Sequence, residues 1–377
     1  MAYNNLDVMF GGGNDLITDD IRSHFKTNET ALIQNDLNAF RNHRGDGKLW
    51  ALFEKMGMPY DLDRDPQKTP SLEEMTRKAL NILSKNKNGF FLMVEGSAVD
   101  YAAHANDPIA CITEFIAFDN AVGAAMEFAR KNGETAIIIL PDHGNSGFTI
   151  GRRNCKNSSS RSSLADLFGT VSQFKKTASG IVNILKTTQP DQIKPVFKQY
   201  TEIELTDEEL ESLLSSKDYK VGDYTEASNG QSLQYSIVEI MNSRTCFGFT
   251  SGSHTGEEVF LAAYHPSGDI PLGRNTNVQI NEYLCAAMGF DMSLPVLTQK
   301  LFAKHTDVLA GLKYEITEKK DFPVLTVTKG KNTLTVRAFG SVAYLNGNPV
   351  DLGSVTIYVD KNDTFYLPAD ILKKVKL

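Results

Sequence analysis

Six side chains of two chemical kinds fall at the ends of apolar runs in this sequence. The run from Phe90 to Val94 ends at Glu95, with Asp100 and His104 following at short intervals. Asp142-His143 comes directly after the run from Ala136 to Pro141, and His254 lies in Ser253-His254-Thr255-Gly256-Glu257-Glu258, just before the run from Val259 to Tyr264. Anionic oxygens and imidazole nitrogens are what hard and borderline divalent cations take as ligands. Six such donors are too many for one tetrahedral zinc; they suit two zinc-like ions with a third, harder ion held by carboxylate. Two ions about 3.5–4 Å apart can stabilise both the attacking and the leaving oxygen of an in-line phosphoryl displacement. Phosphate ester hydrolysis is therefore the leading chemistry. Taken singly, Asp142-His143 could equally cap a turn, and Asp100 with His104 could be a pair on one helical face.

Positioning these groups requires strands that bring their polar ends to one edge of a sheet. In open α/β sheets, ligands sit in the crevice beyond the carboxyl ends of parallel strands, where loops present side chains without disturbing the core. The expected class is α/β, with a largely parallel central sheet flanked by helices, a helical insertion and a small C-terminal β domain. Thr69-Pro70 is placed to start a helix, with Leu72, Met75, Ala79, Ile82 and Leu83 as its apolar stripe. A second helix should run from Pro108 to Lys131 and stop at Asn132-Gly133, returning the chain to the Ile137 strand as a βαβ unit.

The stretches MVEGSAVDYAAHANDP, ILPDHGNSG and GSHTGEEVFLAAYHP resemble, in order, the three metal-binding blocks of the alkaline phosphatases. LDVMFGGG, MPYDLDRDP, PSLEEMTRKALNILSKN and GFFLMVEG are similar to that family's connecting elements, so the likeness runs from about residue 5 to 150 and again from about 250 to 292. The resemblance implies that Asp100, His104 and His254 bind a first zinc, the one that carries the water for the second half of the reaction. It assigns Asp142 and His143 to a second zinc, which activates a serine nucleophile, and Glu95 to a magnesium ion.

The family carries its nucleophilic serine, a metal-bridging aspartate, a further magnesium ligand and a phosphate-clamping arginine in a segment N-terminal to LDVMFGGG. No such segment is present in these 377 residues. The expectation is an N-terminally truncated chain with no catalytic nucleophile of its own, an incomplete second zinc site and an incomplete magnesium site. As a phosphomonoester hydrolase it should be weak or inactive alone. The alternative is a non-catalytic zinc-binding, cell-envelope protein derived from that fold. Ser158, Ser159, Ser160, Ser162 and Ser163, set among Arg152, Arg153, Lys156 and Arg161, read as a loop rather than a source of the nucleophile.

Composition bounds the partners. The chain is 41% hydrophobic and 23% charged, enough for a large core in two or more domains. A net charge of −7 argues against nucleic acid and gives no attraction to a phosphate monoester, so metals would have to supply it. The N-terminus shows no signal peptide, and no apolar run approaches a membrane span. By resemblance the protein should be periplasmic, at the cell surface or extracellular. Its four cysteines, Cys111, Cys155, Cys246 and Cys285, form no CxxC pair and are expected to be free thiols rather than a disulfide framework.

Four parts are expected along the chain: an α/β core over 1–150, an insertion over 151–248, a return to the core over 249–311, and a small β domain over 312–377. The insertion opens its helix Thr206-Asp207-Glu208-Glu209 with capping-box spacing and could rise over the site mouth, where a cap would select substrates or join subunits. The C-terminal part alternates in short runs broken by Lys329-Gly330 and Asn346-Gly347, as hairpins do. Without the preceding segment the sheet would expose a strand edge, which predicts association, as a homodimer or with a complementing N-terminal segment. Asp61, Asp63 and Asp65 are expected in a solvated acidic loop, and Gly11-Gly12-Gly13 in a turn rather than a phosphate cradle.

Overall fold

Capped helices and short apolar strands build two units, residues 1–56 with 271–377 and residues 57–270. The computed structural model describes residues 1–4, 6–151, 163–219, 231–290, 293–317 and 322–377. Most of the serine and arginine cluster expected in a loop, Arg152 to Ser162, lies outside the described residues.

In the first unit, Val8–Gly11, Leu49–Leu52 and Ala31–Gln34 form a parallel sheet with Leu49–Leu52 in the centre. All four residues of that central strand are buried, as an uninterrupted apolar run in a parallel sheet should be. The C-terminal part folds as five antiparallel strands from Lys313–Thr317 to Asn348–Asp351, beside a three-stranded sheet of Phe302–Lys304, Thr364–Pro368 and Ile357–Val359. Leu325, Val327, Leu334, Val336 and Phe365 make its core. Asn346 and Gly347 both take positive φ, 51° and 83°, which the tight hairpin turn there requires. The α/β class with a C-terminal β region is what the sequence leads one to expect.

In the second unit the helices Leu72–Leu83 and Ser97–His104 both pack on the helix Pro108–Asn132. The Pro108–Asn132 helix starts where expected because Asp107 accepts hydrogen bonds from the Ile109 and Ala110 N–H groups. It stops at Gly133, whose φ of 75° is the left-handed cap. Among the described residues this one helix is long and apolar enough to cross a membrane, contrary to the expectation that no apolar run approaches a span. It packs as a core helix, burying Ile109, Ala110, Glu114, Ala117, Ala121, Ala124 and Ala129. The Leu72–Leu83 helix begins two positions later than proline alone suggests: Ser71 is its cap, accepting the Glu74 N–H at 3.1 Å, and Pro70 precedes it.

Helices Ala178–Leu185, Ile193–Thr201, Asp207–Leu214 and Leu233–Thr245 share an apolar core with Ile109. The capping box forms, with Thr206 and Glu209 each accepting the other's backbone N–H. Asp63 is not solvated as expected: it accepts from the Thr177 N–H at 3.1 Å, at the cap of the Ala178–Leu185 helix. Cys111 and Cys285 are free, while Cys246 is disulfide-bonded, contrary to the expectation of free thiols.

Two strand expectations change. Residues 90–96 form no regular element and join no sheet among the described residues, so no βαβ unit closes around the Pro108–Asn132 helix. Strand Ile137–Ile139 pairs with Ala262–Tyr264 in antiparallel fashion, Ile139 opposite Ala262. The reversed direction has a geometric reason. Asp142 and His143 follow their strand while His254 precedes its own, so only antiparallel pairing brings both polar ends to the same edge.

Candidate metal centre

Helical spacing sets the first two ligands. Asp100 and His104 are four residues apart on the Ser97–His104 helix, which places them on one face with His104 Nε2 3.5 Å from Asp100 Oδ2. The helix begins at Gly96, where an added Cβ would meet the Phe118 ring at 2.8 Å, so glycine is needed for the close approach. His104 Nδ1 lies 2.8 Å from the Gly252 carbonyl oxygen. A carbonyl only accepts, so Nδ1 carries a proton, which leaves Nε2 as the ring nitrogen that faces Asp100.

His254 arrives from the other side. It pairs with Asn145 in the short antiparallel ladder of Gly144–Asn145 with His254–Thr255. The ladder continues into loop contacts, with the Ser146 N–H donating to the Ser253 carbonyl and the Thr250 N–H to the Ser146 carbonyl, each at 2.9 Å. An added Cβ at Gly147, which has a φ of 59°, would strike Thr250 Oγ1. One ligand atom from each of Asp100, His104 and His254 lies within 4.8 Å of the others. Tetrahedral zinc with bonds of about 2.0–2.1 Å needs ligand atoms about 3.4 Å apart, a spacing the Asp100–His104 pair already meets. Two imidazoles, one with its tautomer fixed, and one carboxylate fit such an ion, with a fourth position open.

Asp142 and His143 stand beside this triad. The His143 ring stacks on His254, with centroids 3.6 Å apart, and the His104 ring is 5.1 Å from His254 and tilted to it. Asp142 Oδ2 is 3.3 Å from His143 Nε2, and its side chain is 87% exposed. These two therefore form a pair that opens to solvent. Glu95 is exposed just before the helix and lies outside the three-residue cluster. Expectations from the sequence missed Asn145, Gly252 and Glu257. Glu257 accepts from Thr255 Oγ1 at 2.8 Å, a hydrogen bond that holds its carboxyl below the usual range. Of these, only Glu257 had a sequence signal, as an acid three residues after His254.

A family profile described as alkaline phosphatase matches residues 3–290. This chain belongs to the alkaline phosphatase family. Alkaline phosphatase 4 of Bacillus subtilis (strain 168) is 35% identical over 264 residues, covering 69% of this chain and 53% of that relative. Alkaline phosphatase 3 of the same organism is 32% identical, covering 77% of this chain and 59% of the relative. The chain thus spans between half and three fifths of the length of these relatives. Among solved structures, a cold-active alkaline phosphatase from Shewanella sp. superposes with a TM-score of 0.65 at 23% identity, over 75% of this chain and 66% of that one, a likeness of fold. Metal binding is typical of alkaline phosphatases, and among the described residues the triad is a cluster that could hold an ion.

Proposed function

We propose that this chain carries the metal-binding part of a phosphomonoester hydrolase of alkaline phosphatase type. The convergence of Asp100, His104 and His254 within 4.8 Å carries the reading. We assign one zinc ion to that triad, a second to Asp142 and His143, and a magnesium ion to Glu95, the last two sets being incomplete with two donors and one. Divalent ions there supply the positive charge that a phosphate monoester needs and lower the pKa of bound water. The chain's own groups hold and orient: Asp100 provides the anionic oxygen, the Gly252 carbonyl keeps the His104 proton on Nδ1, and the loop ladder fixes His254.

The nucleophile, in this reading, comes from outside residues 1–377, and the chain alone turns over little. Ser251, three residues from His254, is engaged in its own turn, accepting the Ser253 N–H at 2.8 Å. The openness of Asp142 supports the same view. The apolar residues 90–94 join no sheet among the described residues and could serve as a strand edge, with Phe91 at 64% and Met93 at 70% exposure. We assign that edge to a second copy or to a complementing N-terminal segment, since unpaired edges recruit strands. The disulfide at Cys246 supports an oxidising location, such as the periplasm, the cell surface or the medium.

The half-formed Asp142-His143 pair favours one alternative, a non-catalytic zinc-binding envelope protein. Hydrolysis of an aryl phosphate in the presence of zinc and magnesium separates the two. Turnover that disappears with chelator and in His254→Ala supports the hydrolase, whereas stoichiometric zinc with no turnover, even after addition of a complementing segment, supports the binder.

A further inference from the structure

Asp100 is the one carboxylate of the triad, and only one of its oxygens is directed at the other ligands. Oδ2 lies 3.5 Å from His104 Nε2, while Oδ1 accepts a hydrogen bond from Asn145 Nδ2 at 2.6 Å. The same Asn145 is the backbone partner of His254 in the short ladder. A single residue therefore touches one ligand through its side chain and the other through its main chain.

The orientation of the amide is decided by chemistry. A carboxylate accepts only, so the nitrogen must face Asp100. That choice leaves Asn145 Oδ1 buried with no hydrogen-bond partner. A buried, unpaired amide oxygen costs about 1–3 kcal/mol. An arrangement that keeps this cost points to a requirement for the N–H at Asp100.

We propose that Asn145 is the positioning residue of the metal centre, holding Asp100 in a one-oxygen binding mode and setting its distance from His254. This rests on the reading that the triad binds a divalent cation. With Oδ1 occupied by the amide, Asp100 presents Oδ2 alone, which suits a compact tetrahedral set. Asparagine fits because it is a neutral donor of the right length. Aspartate at 145 would put two anions in contact, and alanine would leave Oδ1 without its donor.

The test is zinc titration of the full chain in competition with a chromophoric chelator, for the wild type, Asn145→Ala, the isosteric Asn145→Asp, Asp100→Ala and the double variant Asp100→Ala/Asn145→Ala. Loss of an outer-shell partner weakens metal affinity by about 10–100-fold, and both single variants at 145 are expected to show it while their metal-free circular dichroism spectra show the wild-type fold. Because Asn145 acts through Asp100, adding Asn145→Ala to Asp100→Ala should cause no further loss, whereas a merely structural role gives additive losses. Wild-type affinity in either variant at 145, or additivity in the double variant, overturns the proposal. Absence of zinc binding by the wild type would instead remove the metal-centre reading beneath it.

Discussion

Glu114→Gln should make the protein more stable at alkaline pH and leave it unchanged in acid. Glu114 lies within the core helix Pro108–Asn132, is 8% exposed and accepts the Asp61 N–H. Burial, with smaller contributions from the Asp61 and Asp63 carboxylates, pushes its pKa from 4.5 up to about 7, against the opposing pull of Arg64. The folded protein thus keeps a proton between these values that the unfolded chain releases. Stability falls as pH rises from about 4.5 through 7 and levels off above. Asp107, fully buried, is pushed up to about 6 by desolvation despite three backbone N–H donors, and adds to the same trend.

At 1.36 kcal/mol per pH unit, the gap between 4.5 and about 7 corresponds to an upper bound of about 3 kcal/mol for Glu114. Screening by nearby solvent reduces this to about 1–2 kcal/mol. Glutamine keeps the shape and the acceptor oxygen without the ionisation. Urea unfolding should be followed by far-UV circular dichroism, because the lone tryptophan, Trp50, belongs to the other unit. Glu114→Gln is expected to gain about 1–2 kcal/mol at pH 8 and nothing at pH 4.5. An equal effect at both pH values, or a loss at pH 8, refutes the reasoning.

Three further outcomes are expected. Gly147→Ala forces a side chain into Thr250 at a positive φ, and should lower stability by about 1–3 kcal/mol while weakening zinc binding in a chelator competition. Phe365→Ala empties a fully buried position in the C-terminal β core, with a loss of about 3–5 kcal/mol read by thermal melting and no change in zinc affinity. Cys246→Ser removes a disulfide and should cost about 2–4 kcal/mol, a loss reproduced in the wild type by reductant.

Much of this architecture is written in short-range chemistry. Asp107-Pro108 and Asn132-Gly133 mark both ends of the core helix because cap residues satisfy terminal backbone groups locally, and Thr206 with Glu209 does the same. Asn346-Gly347 marks a hairpin because its two residues can adopt positive φ. Asp100 and His104 are legible as a helical pair for the same reason. What stayed hidden depends on distant partners. The apolar run from Phe90 to Val94 reads as a strand, but pairing is a property of two segments. The antiparallel direction of Ile137–Ile139 with Ala262–Tyr264, the Asn145–Asp100 hydrogen bond across 45 positions and the Asp63–Thr177 anchor all belong to that class. Glu114 and Asp107 look like ordinary surface acids in sequence, and only burial reveals their proton affinity.

The central claim is that Asp100, His104 and His254 enclose one divalent ion. Anomalous diffraction at the zinc edge from crystals of the zinc-loaded chain tests it directly. The account predicts a peak about 2.0–2.2 Å from His104 Nε2, from one oxygen of Asp100 and from an imidazole nitrogen of His254. Zinc found only elsewhere, or His254 turned away from an ion bound by the other two, would contradict it.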